Sequence, residues 1–115
     1  EVERAVIKSS AAAFLVDKLA GLRCFKDEHG KFNRSVEEVR GALLVVSQFT
    51  LFADAQKGRR PSYIDAARPE FAAPIVERVA ALLREQGVPT QTGIFGADML
   101  VEIHNDGPVT IWLEK

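Results

Sequence analysis

At 115 residues the chain has room for one domain, residues 1–115, with a modest core. Hydrophobic residues make up 47% and charged residues 27%, the balance expected of a soluble globular domain, and no apolar run approaches the roughly 18 residues that a membrane span needs. A formal net charge of −1 excludes a chain that is basic as a whole, so any contact with nucleic acid must come from a local patch.

The first predicted element is a helix. Ile7, Ala11, Phe14, Leu15, Leu19 and Leu22 recur at steps of three and four, and Gly21 is placed to end the run. The opening stretch has no basic segment followed by an apolar one, so it does not read as a signal peptide. It also lacks a starting Met, and the chain is expected to be a fragment or a trimmed product. Leu22 to Phe25 is expected to form a short strand, Lys26 to Lys31 a charged turn, and Ser35 to Val39 one helical turn. Leu43 to Val46 is an unbroken apolar run, which predicts a strand buried on both faces. Asp54 to Ser62 is polar and basic, and reads as a loop.

A second helix follows from the spacing of Ile75, Val76, Val79, Leu82, Leu83 and Gln86. Pro69 suits its first turn, and Gly87 with Pro89 closes it. Pro74 leaves two expectations open: the regular helix begins near Ala73, or it is kinked there. In the tail, Met99–His104 and Val109–Glu114 alternate apolar and polar residues around Asn105-Asp106-Gly107-Pro108, which predicts a hairpin. Two helices and several mostly antiparallel strands predict a mixed α and β domain built in layers. Trp112 and Phe52 are expected in its core.

Two segments carry a specific resemblance. Ser47-Gln48-Phe49-Thr50-Leu51, at the end of the apolar strand, and Asn105-Asp106-Gly107-Pro108-Val109-Thr110, at the tail turn, resemble the two signature motifs of the D-aminoacyl-tRNA deacylase family. Lys57-Gly58-Arg59-Arg60-Pro61-Ser62-Tyr63 resembles its basic loop, and Thr90 to Met99 the strand before the second motif. The order and spacing of all four agree, and the resemblance covers essentially the whole chain. One departure stands out: family members begin with additional N-terminal strands, and this sequence is expected to start just after them; either a neighbouring strand is left with unpaired backbone groups or the sequence is part of a longer protein.

The resemblance implies an α/β fold of layered, barrel-like sheets with two packed helices. It implies a cytoplasmic homodimeric hydrolase that cuts the ester of D-aminoacyl-tRNA, or of mischarged glycyl-tRNA, as a proofreading step in translation. The expected site is built from Ser47, Gln48, Phe49 and Thr50, with the Phe49 and Thr50 amides as oxyanion donors. A threonine nucleophile would need a nearby base, and neither His29 nor His104 is placed by sequence to serve. Gly107 and Pro108 read as an ordinary turn with a trans bond, since cis occurs in only about 5–6% of X–Pro bonds. The resemblance implies instead a cis bond and insertion into the partner subunit's pocket, where two carbonyl oxygens would collide with an L side chain.

Met99 and Phe95 are expected to line or support that pocket, and Lys57, Arg59 and Arg60 to meet tRNA phosphates. Cys24 reads as a small core residue and Asp106 as a turn former; a single cysteine allows no intrachain disulfide and no zinc spacing. No metal or cofactor is expected. Two further readings remain: a non-catalytic module that binds charged tRNA or D-amino acids, and an esterase with Thr50 as nucleophile.

Overall fold

The computed structural model describes residues 2–115, with side chains from residue 11 onward. Helix α1 spans Val2–Gly21. No Gly or Pro interrupts it before Gly21, and Ala11-Ala12-Ala13 are strong helix formers. Ala12, Val16 and Ala20, four apart, are at most 5% exposed and form the stripe that faces inward. The expected stripe is offset from this one. Ala11, Leu15 and Leu19 are half-buried on its flank, Phe14 is exposed, and Ile7 lies outside the described side chains. The small alanines let α1 lie close against helix α2 (Pro69–Glu85).

Strands β1 (Phe25–Lys26) and β2 (Phe32–Arg34) form an antiparallel pair with an irregular register. The strand expected at Leu22 to Phe25 therefore starts at its last residue. The turn between them is organised by Asp27, whose carboxylate accepts the backbone N–H groups of His29 and Lys31 at 2.8 and 3.0 Å. The Lys31 bond leads in holding this carboxyl below its usual range. The next turn is a reciprocal cap. Ser35 N–H donates to Glu38 Oε1 and Glu38 N–H to Ser35 Oγ, each at 3.2 Å.

Strand β3 (Leu43–Val45) pairs in parallel with β4 (Thr90–Thr92), Leu43 opposite Thr90 and Val45 opposite Thr92. The expectation of burial on both faces fails: Leu43 and Val45 are half-buried and Leu44 is 60% exposed. Among the described residues the sheet has only these two strands, and its Leu44 side is open to solvent. On the other face, Leu43 packs on a small core of Ala20, Val36 and Val88.

Helix α2 resolves the ambiguity at Pro74. It begins at Pro69, a position that needs no N–H donor, and runs through Pro74 without stopping. Ala80 and Leu83 are its buried residues. Its end is a Schellman motif: Val88 N–H donates to Leu83 O and Gly87 N–H to Arg84 O, with Gly87 at φ +86°. Thr90 then starts β4, and Arg84 Nε donates to its carbonyl at 3.1 Å.

Two expectations about the sheets are overturned. The observed pairs are one antiparallel and one parallel, and among the described residues no closed barrel forms. The tail makes no hairpin ladder across Met99–His104 and Val109–Glu114. Period-two patterning needs a surface to lie on, and a two-stranded hairpin alone is marginal in water. Here Leu100, Ile103, Ile111 and Trp112 face outward. Trp112 and Phe52, expected in the core, are 65% and 61% exposed, Trp112 in this unpaired tail and Phe52 at the end of a short turn after β3.

Candidate functional site

Because β3 and β4 are parallel, both chains leave the sheet at the same end, the place where open parallel sheets gather functional loops. From β3 the chain passes through Val46 into Ser47 and Gln48, then into one 3-10 turn over Phe49–Phe52. Ser47 and Thr50 are half-buried, whereas Gln48 and Phe49 are exposed. The turn closes with Leu51 N–H on Gln48 O and Ala53 N–H on Thr50 O. As its first two residues, Phe49 and Thr50 have no helical acceptor for their N–H groups, and among the described residues no loop carbonyl takes them. These are the two amides that the sequence nominates as oxyanion donors. The Thr50 hydroxyl oxygen accepts a hydrogen bond from the Gln48 side-chain amide, a group that cannot act as a base.

From β4 the chain passes through Gly93, whose N–H donates to Val45 O at 3.1 Å. Met99 folds back onto this point. A Cβ on Gly93 would stand 2.8 Å from the Met99 sulfur and 3.8 Å from Val46 Cγ1, so glycine leaves the space that the thioether fills. The Ile94 N–H points at the same sulfur, 3.4 Å away. Met99 is thus held at the exit of both strands, beside the start of the Ser47–Thr50 segment, and Phe95 is half-buried in the turn between.

The basic loop is pinned at its base. Asp54 and Ser62 exchange both backbone hydrogen bonds, at 2.7 and 2.8 Å, and the Asp54 carboxylate accepts Gln56 N–H at 3.0 Å. Gly58, at φ +67°, turns the tip between Lys57 and Arg59, and Lys57, Arg59 and Arg60 are all exposed. Immediately after Ser62, Tyr63 meets Phe49 edge to face, with ring centroids 5.0 Å apart and planes at 66°. The basic loop is thereby joined to the Ser47–Thr50 motif. The sequence places Tyr63, the single tyrosine, at the end of the basic segment without assigning it a role of its own.

The second motif is a separate loop. Gly107–Pro108 is cis, and Gly107 sits at φ +141°. A Cβ there would come within 2.7 Å of Val109 Cγ2 and 3.0 Å of Val109 N, so the position accepts only glycine without rearrangement. Asn105 spans the loop: its Oδ1 accepts Val109 N–H at 2.8 Å and its Nδ2 donates to Thr110 Oγ1 at 3.0 Å. The turn former is therefore Asn105 rather than Asp106, and Asn preceding Gly-Pro by two residues is the signal for it. The loop is exposed apart from the half-buried Val109, and among the described residues it shares no hydrogen bond with Ser47–Thr50. His29 and His104 are both exposed, and Cys24 is half-buried rather than a core residue.

Comparison with known proteins places this arrangement. A family model described as D-Tyr-tRNA(Tyr) deacylase matches residues 4–114. A D-aminoacyl-tRNA deacylase of Thermomicrobium roseum is 58% identical over 106 residues, which are 92% of this chain and 69% of that protein. One from Chloroflexus aurantiacus is 58% identical over 88% of this chain and 63% of its own length, and one from Thermus aquaticus is 54% identical over 90% and 68%. The chain thus spans about two thirds of the length of these relatives. Among solved structures, the c-Myc DNA Unwinding Element Binding Protein superposes with a TM-score of 0.83 at 39% identity, covering 92% of this chain and 72% of that one. This chain belongs to the D-Tyr-tRNA(Tyr) deacylase family.

Proposed function

We propose that the chain is a D-aminoacyl-tRNA deacylase that hydrolyses the ester between a tRNA 3′ end and a D-amino acid or glycine, a proofreading step in translation. The observation that carries this reading is the pair of free amides, Phe49 and Thr50, opening the turn at the shared end of β3 and β4. Water adds to the ester carbonyl carbon, and the two N–H groups hold the oxyanion that forms. The intermediate then collapses with cleavage of the ester C–O bond. The ribose oxygen leaves with the proton from the attacking water. An aminoacyl ester beside a ribose hydroxyl is already labile, so positioning and oxyanion stabilisation suffice, without a cofactor.

Selectivity is assigned to the Gly107–Pro108 loop of a second copy. Its carbonyl oxygens, inserted beside Met99 and Phe95, would meet an L side chain and leave a D side chain or glycine untouched. Two features support a homodimer: the loop is exposed on its own chain, and Leu100, Ile103, Ile111 and Trp112 around it are exposed. Lys57, Arg59 and Arg60 supply the phosphate contacts. The working compartment is the cytoplasm, and no helix among the described residues is long and apolar enough to cross a membrane.

The test is hydrolysis of D-tyrosyl-tRNA and L-tyrosyl-tRNA by the wild type and by Thr50→Ala. The D ester is cleaved and the L ester spared, and Thr50→Ala stays within roughly threefold of the wild type, because the backbone amide remains. A loss on the order of 10⁴-fold or more would instead make Thr50 a nucleophile. Binding of the charged tRNA with turnover of neither ester would reduce the chain to a recognition module. That second reading is favoured by the nucleic-acid binding in the name of the solved relative.

A further inference from the structure

A cleft of 320 Å³ opens between the turn before β3 and the end of α2, lined by Glu37, Arg40, Gln86, Gly87, Val88 and Pro89. Its place in the fold is set by Pro89, whose carbonyl accepts Leu43 N–H at 2.9 Å just before Leu43 pairs with Thr90. The cleft therefore lies where β3 and β4 begin, and the Ser47–Thr50 segment lies beyond where they end. Each wall is a Schellman motif. On one, Gly87 N–H donates to Arg84 O and Val88 N–H to Leu83 O. On the other, Arg40 N–H donates to Glu37 O at 3.0 Å and Gly41 N–H to Val36 O at 2.8 Å.

The two motifs differ at one position. The left-handed residue is Gly87 in the first and Arg40, at φ +55°, in the second. Among the described residues Arg40 is the one residue other than glycine with a positive φ. A side chain makes that conformation costly, which is why glycine usually fills it. The chain thus keeps a guanidinium at the cleft where glycine would fold more easily. Glu37 stands three residues before Arg40 on the same turn, and among the described residues neither forms an ion pair. The C-terminal end of α2, at Gln86, adds partial negative charge. Val88, 2% exposed, and Pro89 supply apolar surface.

We infer that this cleft binds a free α-amino acid as its zwitterion, with the carboxylate on Arg40, the ammonium on Glu37 and the end of α2, and the side chain on Val88 and Pro89. The site goes beyond the proposed function and does not rest on it. A cation and an anion side by side, not spent on each other, match the two opposite charges that an amino acid carries on adjacent atoms. The planar guanidinium suits a carboxylate in particular. A phosphate would be repelled by Glu37 and by the end of α2, and a simple amine would leave Arg40 unmatched. The volume lies at the small end of the range for ligand sites, about 300–1,000 Å³, as a ligand of this size requires.

The test titrates the full chain with D-valine and follows its backbone amide resonances. Saturable shifts are expected around Arg40 and Gly87, with affinity in the millimolar range or tighter. D-valinamide lacks the carboxylate and N-acetyl-D-valine lacks the ammonium; each binds at least about tenfold more weakly, the size of one lost charge-assisted contact. Glu37→Gln and Arg40→Gly each weaken D-valine by a similar factor. Arg40→Gly relieves the left-handed conformation and keeps or raises the urea midpoint, so its loss of binding is not a loss of fold.

No saturation through the millimolar range would overturn the inference, as would shifts confined to Ser47–Thr50, equal binding of D-valine and either blocked form, or unchanged affinity in Arg40→Gly. A wild type that cleaves D-tyrosyl-tRNA but takes no D-valine in the cleft removes this site alone. One that takes D-valine there but cleaves neither ester removes the hydrolase alone.

Discussion

The Asp27 carboxylate accepts two backbone N–H groups and the Asn33 amide, and these bonds favour its ionised form. Its folded pKa therefore lies below the ordinary value of 3.8. A carboxyl shifted in this direction contributes stability above 3.8 and loses it as pH falls through the lower folded value. Asp27→Asn is expected to lower the neutral plateau and leave stability at the acid end least changed, so that the acid limb below about pH 4 flattens, as thermal unfolding across that range reads directly. The sequence marks Lys26 to Lys31 as a turn and Ser35 to Val39 as a helical turn, but that Asp27 and the Ser35–Glu38 pair bind the backbone there is visible only in the structure. At the second motif the neighbour was chosen in error. Asp106 and Asn105 are both turn formers, and only the geometry shows which one reaches Val109 and Thr110.

Among the elements, the two helices follow from the spacing of apolar residues and from their terminators, because both signals are local. The end of α2 is the clearest case. Gly87 takes a left-handed conformation that lets Val88 N–H reach Leu83 O, and one residue further on Leu43 N–H bonds Pro89 O to start the parallel pairing. A Cβ at Gly87 meets nothing within 4 Å, so a substitution there tests conformation alone. Gly87→Ala is expected to cost about 1–2 kcal/mol, the penalty of a left-handed residue bearing a Cβ, measured as a shift in the urea midpoint with unchanged slope. The strands were harder to read. Leu43 to Val46 looked doubly buried because all four residues are apolar, but burial depends on what lies across the sheet, which is not encoded within the strand. The tail shows the same limit: its alternation is real, and its partner surface is not supplied by the described residues.

For the whole molecule, the radius of gyration is 15.9 Å, against about 13 Å for a compact domain of this length. The accessible surface of 9546 Å² likewise exceeds the roughly 6,200 Å² expected at this mass. Apolar side chains such as Leu44, Leu100, Ile103 and Trp112 face outward. Composition gave the class of the domain but not this openness, because hydrophobic content does not say how much of it finds a partner. Charge is the other global quantity. With a net charge of −1, attraction to tRNA depends on where the cations sit. Replacing Lys57, Arg59 and Arg60 together by Ala should lower the steepness of log Kd against log salt by about 2, near 0.7 per lost single-strand phosphate contact. An unchanged steepness would move the phosphate contacts elsewhere.

Met99 is the chain's single methionine, and its methyl carbon lies 3.4 Å from the site of a Cβ on Gly93. Isotope labelling of methionine methyls therefore gives these 115 residues one resonance, seated where β3 and β4 both end. Its chemical shift would register anything arriving at that spot, whether an ester, a neighbouring loop or an oxidant, without assignment of any other signal.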